Sequence, residues 1–205
     1  MAHKPRKDMI AETRAKLIAA GRKAFGEVGF AEASMDSFTA DVGLTRGALY
    51  HHFGDKKGLL EAVIVQMDAE MAERLRIRSA QAPTRWEGFV QEGIGYIEMA
   101  LEPEVRRIMF RDAPAVLGDP AAWPTANGCI EALKASLSEL AAAGEIAPDT
   151  DFEATARLVS GASTAAAQWI ASADAPEAAV QRASDAYRQL VEGLLCNRPA
   201  PQRRA

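Results

Sequence analysis

Apolar residues recur at intervals of three and four along most of the chain, the spacing of amphipathic helices. The first run predicts a helix over residues 9–28 that ends at Gly29, a residue suited to the position after a helix. Two short helices are predicted next, over residues 35–42 and from 45 to about 52. Ser34 and Thr45 are their expected N-caps, and Gly43 lies in the turn between them.

A longer apolar stripe predicts a helix of about 25 residues that starts at Asp55 and is broken by Pro83. At 1.5 Å per residue it is about 37 Å long, enough to connect an N-terminal domain to the rest of the chain. Five further helices are predicted over residues 84–101, 103–112, 120–143, 151–173 and 176–196.

These patterns predict an all-α fold with about nine helices. The expected division is a domain of residues 1–54, a second domain of residues 55–197, and a disordered tail over residues 198–205. Composition agrees, because apolar residues make up 48% and charged residues 25% of the chain, which is ordinary globular usage. Alanine, the strongest helix former, is abundant.

Several classes of protein are disfavoured by what the chain contains. Its longest uncharged stretch, residues 158–173, is too short and too weakly apolar to span a bilayer, and no secretory signal is apparent. Cys129 and Cys196 stand far apart with no CxxC pairing, and the adjacent His51 and His52 do not share a helix face. We therefore expect a cytoplasmic protein with no membrane contact, no metal site and no cofactor.

Charge is distributed unevenly along the chain. The net charge is −4, yet residues 1–57 carry ten Lys and Arg against seven Asp and Glu, while the remainder carries 14 against 21. A basic N-terminal segment on an acidic body is compatible with a nucleic-acid-binding module.

Residues 34–53 show the pattern of a helix-turn-helix, in which the second helix lies in the major groove of DNA. Arg46 can pair with guanine O6 and N7, and Gly47 allows the backbone to approach the bases. The other polar side chains suit phosphate oxygens. The residues expected to face DNA are Thr45, Arg46, Gly47, Tyr50 and His51, together with Lys56 at the start of the next helix.

Residues 43–60, GLTRGALYHHFGDKKGLL, closely resemble the helix-turn-helix signature of the tetracycline-repressor (TetR) family of bacterial regulators, and the resemblance covers about residues 9–62. It implies a homodimer with a DNA-binding head and a ligand-binding body, released from DNA by a small molecule. It also implies base contacts near Arg46, Gly47 and Ala48 and phosphate contacts at Ser34, Thr45, Tyr50, His51 and Lys56. Asp36 departs from the family pattern, which often has a basic or polar DNA-contacting residue at that place.

Large apolar side chains gather in the middle of the chain and indicate either a buried core or the lining of a pocket for a largely apolar ligand. Gly93 and Gly95 indicate close packing or room beside Tyr96. The candidate pocket residues are Met67, Met71, Trp86, Phe89, Tyr96, Met99, Phe110, Trp123, Asn127 and Gln168.

The last two predicted helices, within residues 151–196, favour a role in dimerisation. Small residues between 154 and 167 allow another helix to approach closely, so two copies can form a four-helix bundle; packing within one chain is the alternative. Two heads about 34 Å apart would then read a palindromic operator. A ligand that favours a conformation in which the two DNA-binding heads have the wrong spacing would lower DNA affinity. The long helix over residues 55–80 is expected to transmit that change.

Two other function classes remain as alternatives. A helical-bundle enzyme lacks support because no GxSxG, HExxH, P-loop or GxGxxG motif is present. A helical interaction module that does not touch DNA is the second alternative. The sequence favours the ligand-responsive DNA-binding repressor over both.

Overall fold

The computed structural model describes residues 6–196, and over this range the chain forms nine helices. The all-α prediction is confirmed for the described residues, while the predicted tail over residues 198–205 lies outside them. The helices are α1 (Arg6–Val28), α2 (Met35–Asp41), α3 (Arg46–Phe53), α4 (Lys56–Ala80), α5 (Arg85–Glu98), α6 (Pro103–Val105, Arg106–Asp112 and Ala113–Leu117 in succession), α7 (Ala126–Ala142), α8 (Phe152–Ser172) and α9 (Pro176–Glu192).

Three of the predicted helix boundaries are wrong, and two of them lie near prolines. The third is the end of the last helix, which the structure has at Glu192 and not at residue 196. The helix predicted to end at residue 112 continues through Pro114, because this proline follows a π-helical stretch and occupies the first turn of the segment Ala113–Leu117, where its missing N–H is tolerated. The helix expected over residues 120–143 begins instead at Ala126, after a single 3₁₀ turn over Pro120–Ala122. None of the described helices has the length and apolarity needed to cross a bilayer.

The chain divides into two compact units. Of the described residues, the first unit comprises 6–70 and 102–124, and the second comprises 71–101 and 125–196. Helix α4 is continuous through the boundary between residues 70 and 71. The predicted domain limits, 1–54 and 55–197, stay a prediction.

In the first unit, polar contacts fasten α1 to α6. Arg22 donates to both carboxylate oxygens of Glu104, at 2.9 and 2.8 Å, and to Glu70 at 2.7 Å. Arg107 donates to the carbonyl oxygen of Glu27 at 2.6 Å, and Asp112 accepts from the backbone N–H of Phe30 at 2.7 Å. The C-terminal end of α1 is therefore tied to a segment more than 70 residues further along the chain.

In the second unit, α8 packs against α5, α7 and α9. The close-packing interpretation of the two α5 glycines is correct, although the neighbour is not Tyr96: Gly93 lies against Tyr187, and Gly95 lies against Leu75. Arg188 of α9 also donates to Glu87 of α5 at 2.9 and 2.8 Å. The contacts of Gly93 with Tyr187 and of Arg188 with Glu87 hold α5 and α9 together.

Replacing Gly93 by alanine is expected to destabilise the protein by about 1–3 kcal/mol, the usual effect of overpacking a buried site. The new Cβ would overlap the Tyr187 ring, which is buried and has little room to move. Urea denaturation followed by circular dichroism measures the loss. Gly128→Ala is the matched control, because a Cβ there meets nothing within 4 Å. Equal stability of the two variants would contradict the close packing of α5 against α9.

Candidate DNA-binding site

Helices α2 and α3 form a helix-turn-helix whose local signals act as the sequence predicts. The Ser34 side chain accepts from the Ser37 N–H at 3.4 Å, and the Thr45 side chain accepts from the Ala48 N–H at 3.2 Å, so each begins a helix as its N-cap. Gly43 adopts a φ of +68°, which favours glycine, and lets the chain turn between the two helices.

A small apolar core lies beneath the two helices. Leu49 of α3 is completely buried and Phe38 of α2 is 4% exposed. Phe25 of α1, also completely buried, meets Phe38 edge to face at 6.2 Å and Phe30 at 5.4 Å between ring centroids. Because α2 and α3 have seven and eight residues, such burial rather than helix propensity holds them in place.

The opposite face of α3 is open to solvent. Four of the predicted DNA-contacting side chains there are exposed, and the backbone at Gly47 is exposed between them. Ala48 and Lys56 are half-buried, while Ser34 is exposed at the start of α2. The exposed side chains of this face are Thr45, Arg46, Tyr50 and His51.

Arg46 is held at the centre of this face by two neighbours. Its guanidinium donates to the Tyr50 hydroxyl at 3.0 Å and stands 3.6 Å from the Asp36 carboxylate. The hydrogen bond to Tyr50, followed by the charge of Asp36, raises the pKa of Arg46, which therefore remains a cation. Asp36, the departure from the family pattern, thus lies beside the residue expected to read a base.

The Lys56 side chain already contacts two residues of the protein. Its ammonium donates to the carbonyl oxygen of Ala31 at 3.2 Å and lies 4.6 Å from the centre of the Phe30 ring. Partial burial lowers the pKa of Lys56. The side chain is therefore folded onto the loop after α1, and a phosphate contact requires that it share this position or leave it.

Two residues of the head were not singled out from the sequence. Arg14 of α1 stacks 4.5 Å from the centre of the Phe53 ring and donates to the carbonyl oxygen of His52 at 3.4 Å, so it supports the end of α3. No sequence signal identifies such a contact. Lys57 is exposed beside Lys56, and its position in the basic pair would have been sufficient to propose it.

The candidate pocket residues fall in both units. Met67 and Phe110 are buried in the first unit, and Met71, Phe89 and Met99 are buried in the second. Among the remaining candidates, Asn127 is exposed. The other four are half-buried: Trp86, Tyr96, Trp123 and Gln168. The second unit contains a cavity of about 230 Å³, and Phe89 is the member of the predicted set that lines it.

Comparison with known proteins agrees with the geometry. The family model described as bacterial regulatory proteins, tetR family, matches residues 17–63, and the one described as tetracyclin repressor-like, C-terminal domain, matches residues 86–194. A solved TetR-family transcriptional regulator from Pectobacterium atrosepticum is 46% identical, with a TM-score of 0.86, and the match covers 96% of this chain and 100% of that chain.

Two curated transcriptional regulators are also similar to this chain, with lower identity and lower coverage than the Pectobacterium structure. The transcriptional repressor AcnR of Corynebacterium glutamicum is 26% identical over 170 residues, 77% of this chain and 87% of AcnR. The transcriptional regulator UidR of Escherichia coli K12 is 38% identical over 64 residues, 31% of this chain, so the match spans 33% of the length of UidR.

Replacing Asp36 by asparagine is expected to raise the affinity for duplex DNA by about two- to fivefold, because an exposed ion pair of below about 1 kcal/mol no longer competes for Arg46. Fluorescence anisotropy with a labelled duplex at several salt concentrations measures the change. Asp41→Asn removes the same charge from the last turn of α2 and should give a smaller increase. An equal gain in both variants would attribute the effect to net charge alone.

Proposed function

This chain belongs to the TetR family of bacterial transcriptional regulators, and on that premise we propose that it represses transcription as a homodimer on a palindromic operator. The members it matches are DNA-binding regulators rather than enzymes. The observation that carries the proposal is the solvent-exposed polar face of α3, with Arg46 at its centre.

In the proposed complex, α3 lies in the major groove. Arg46 pairs with a guanine, while the exposed backbone at Gly47 lets α3 approach the base edges. Thr45 begins α3 as its N-cap, so its hydroxyl lies beside the first N–H groups of the helix, where a phosphate is also favoured. Contacts with DNA are proposed at Ser34, Thr45, Arg46, Gly47, Ala48, Tyr50, His51 and Lys56.

Exposed apolar residues on α8 and α9 support dimerisation through residues 151–196. Leu158 is 74% exposed and Leu190 is 61% exposed, and Trp169 is also exposed on α8. Together with Gly161 and Ala165, Leu158 and Trp169 form a stripe on α8 at intervals of three and four residues. A second copy of the chain would cover this surface in a four-helix bundle.

The small residues of α8 do not all belong to that surface. Ala156, Ser163 and Ala167 are buried within the chain, whereas Gly161 and Ala165 are exposed. Small side chains on one side therefore let α8 pack within its own unit, and those on the other side leave room for a partner. Packing within the chain accounts for the buried small residues, and the exposed ones are proposed to face a second copy.

The proposed repressor is released by a small, largely apolar molecule bound in its body. Such a molecule lowers operator affinity only by its differential affinity for the conformation in which the two heads no longer match successive major grooves. Helix α4 is proposed to transmit the effect of the ligand to the DNA-binding head, since one unbroken helix of 25 residues supplies residues to both units.

Leu190→Asp is expected to convert the dimer to a monomer at micromolar concentration, because an aspartate would be buried without a partner in the interface. Sedimentation equilibrium measures the molecular mass. Ile77→Asp is the matched control, since Ile77 is 45% exposed but lies on α4, outside the proposed interface. A dimer that persists in the Leu190 variant would place the interface elsewhere.

Selection of bound duplexes from a random pool tests the regulator itself and should recover a palindrome. Arg46→Ala is then expected to cost about 1–3 kcal/mol and to relax the preference for one base pair. Lys56→Ala should weaken all sequences and reduce the salt slope by about 1. Failure to select any sequence, or unchanged binding by both variants, would refute the proposed reading head.

A further inference from the structure

We propose that the cavity between α4, α5 and α7 in the second unit binds a small protonated amine with an apolar body, held by the carboxylate of Glu92. This inference rests on the proposed function, because it names the chemical class of the effector of that regulator. It also places the site within a single compact unit, where Phe89 was singled out from the sequence and Glu92 was not.

The cavity is small and has walls of mixed chemistry. Its volume is about 230 Å³, and its lining includes Ser79 of α4, Phe89 and Glu92 of α5, and Ser136 and Leu140 of α7. At about 30 Å³ per water-sized group, it accommodates on the order of eight non-hydrogen atoms. Phe89 and Leu140 supply the apolar surface for the body of the ligand.

Glu92 differs from the other acidic residues along α5. Glu87 is paired with Arg188 and Glu98 with Arg78, each through a hydrogen-bonded ion pair. Glu92 is half-buried, lines the cavity, and has neither a hydrogen bond nor an ion pair among residues 6–196. Burial raises the pKa of its carboxyl group. A cation in the cavity would supply the missing partner.

The other charges of the cavity nearly cancel. Arg85 and Glu139 also line it and form an exposed ion pair at 3.7 Å. The Tyr187 phenol of α9 has a raised pKa, caused by burial and then by the charge of Glu92, so it remains neutral. The ionised cavity therefore has a net charge of one negative unit, which favours a cation over an anion.

The two serines complete the site. The Ser136 hydroxyl already donates to the carbonyl oxygen of Ala132 at 3.2 Å, so it faces a ligand as an acceptor for an ammonium N–H. Ser79 lies against Gly88, where a Cβ would come within 2.9 Å of the serine oxygen, so glycine permits α4 and α5 to approach at the cavity. An ammonium group can thus meet a carboxylate and a hydroxyl in one small space.

Isothermal titration calorimetry on the full-length protein without DNA tests the site, with benzylamine as the probe. Benzyl alcohol has the same shape without the charge, and benzoate carries the opposite charge. We expect benzylamine to bind at least tenfold more tightly than either. Glu92→Gln should weaken benzylamine at least tenfold and leave benzyl alcohol unchanged, whereas Glu177→Gln, the same change at an exposed position on α9, should alter neither.

A second variant, which fills the cavity, tests the site without changing the charge of Glu92. Ser136→Leu places a larger side chain in the cavity and should abolish binding of both the amine and the alcohol while Glu92 remains. The inference is overturned if benzylamine does not bind at millimolar concentration, if the alcohol binds equally well, or if Glu92→Gln retains full affinity for the amine.

The proposed function and this inference fail in different measurements. Operator binding is measured separately, on unliganded protein, and does not involve the cavity. Loss of amine binding with intact operator binding would reject the amine site alone. Amine binding without any operator binding would reject the repressor and leave the site in place.

Discussion

The burial of Phe25, Phe38 and Leu49 is the constraint on which the DNA-binding head depends. Helix α3 has eight residues, too few to be stable in isolation, so it exists as a helix because Leu49 is removed from water on one side. The same burial fixes which side chains remain outside. Gly47 and His51 lie nearly opposite Leu49 on α3, and Arg46 and Tyr50 are exposed on the flank between them and the core.

Local signals explain why much of this head could be predicted from the sequence. Ser34 and Thr45 act within three residues of themselves, and Gly43 acts through its own φ angle, so no distant partner is needed. The contact of Arg22 with Glu104 joins positions 82 residues apart and has no local signature. Pro114 was misinterpreted for a related reason, since a proline in a first turn cannot be distinguished locally from one that ends a helix.

The body could be predicted less completely because periodicity indicates burial and not the identity of the neighbour. Met67 and Met71 are consecutive on one stripe of α4, and both are buried as expected, yet they belong to different units. Glu92 was overlooked for the opposite reason. In the sequence it resembles the other glutamates of α5, and it becomes distinctive only when Arg188 and Arg78 are seen to pair with its neighbours.

The ion pair between Arg46 and Asp36 is too weak to keep the head from DNA. Both side chains are largely exposed, at 49% and 71%, and such pairs contribute below about 1 kcal/mol. A bidentate contact of arginine with guanine discriminates by about 1–3 kcal/mol, so in the proposed complex the base would prevail over the carboxylate. Opening this pair is a cost of the proposed guanine contact, whereas on sequences without that guanine Arg46 can stay beside Asp36. Asp36 would therefore reduce the affinity for a guanine-containing site only by the small free energy of this exposed pair.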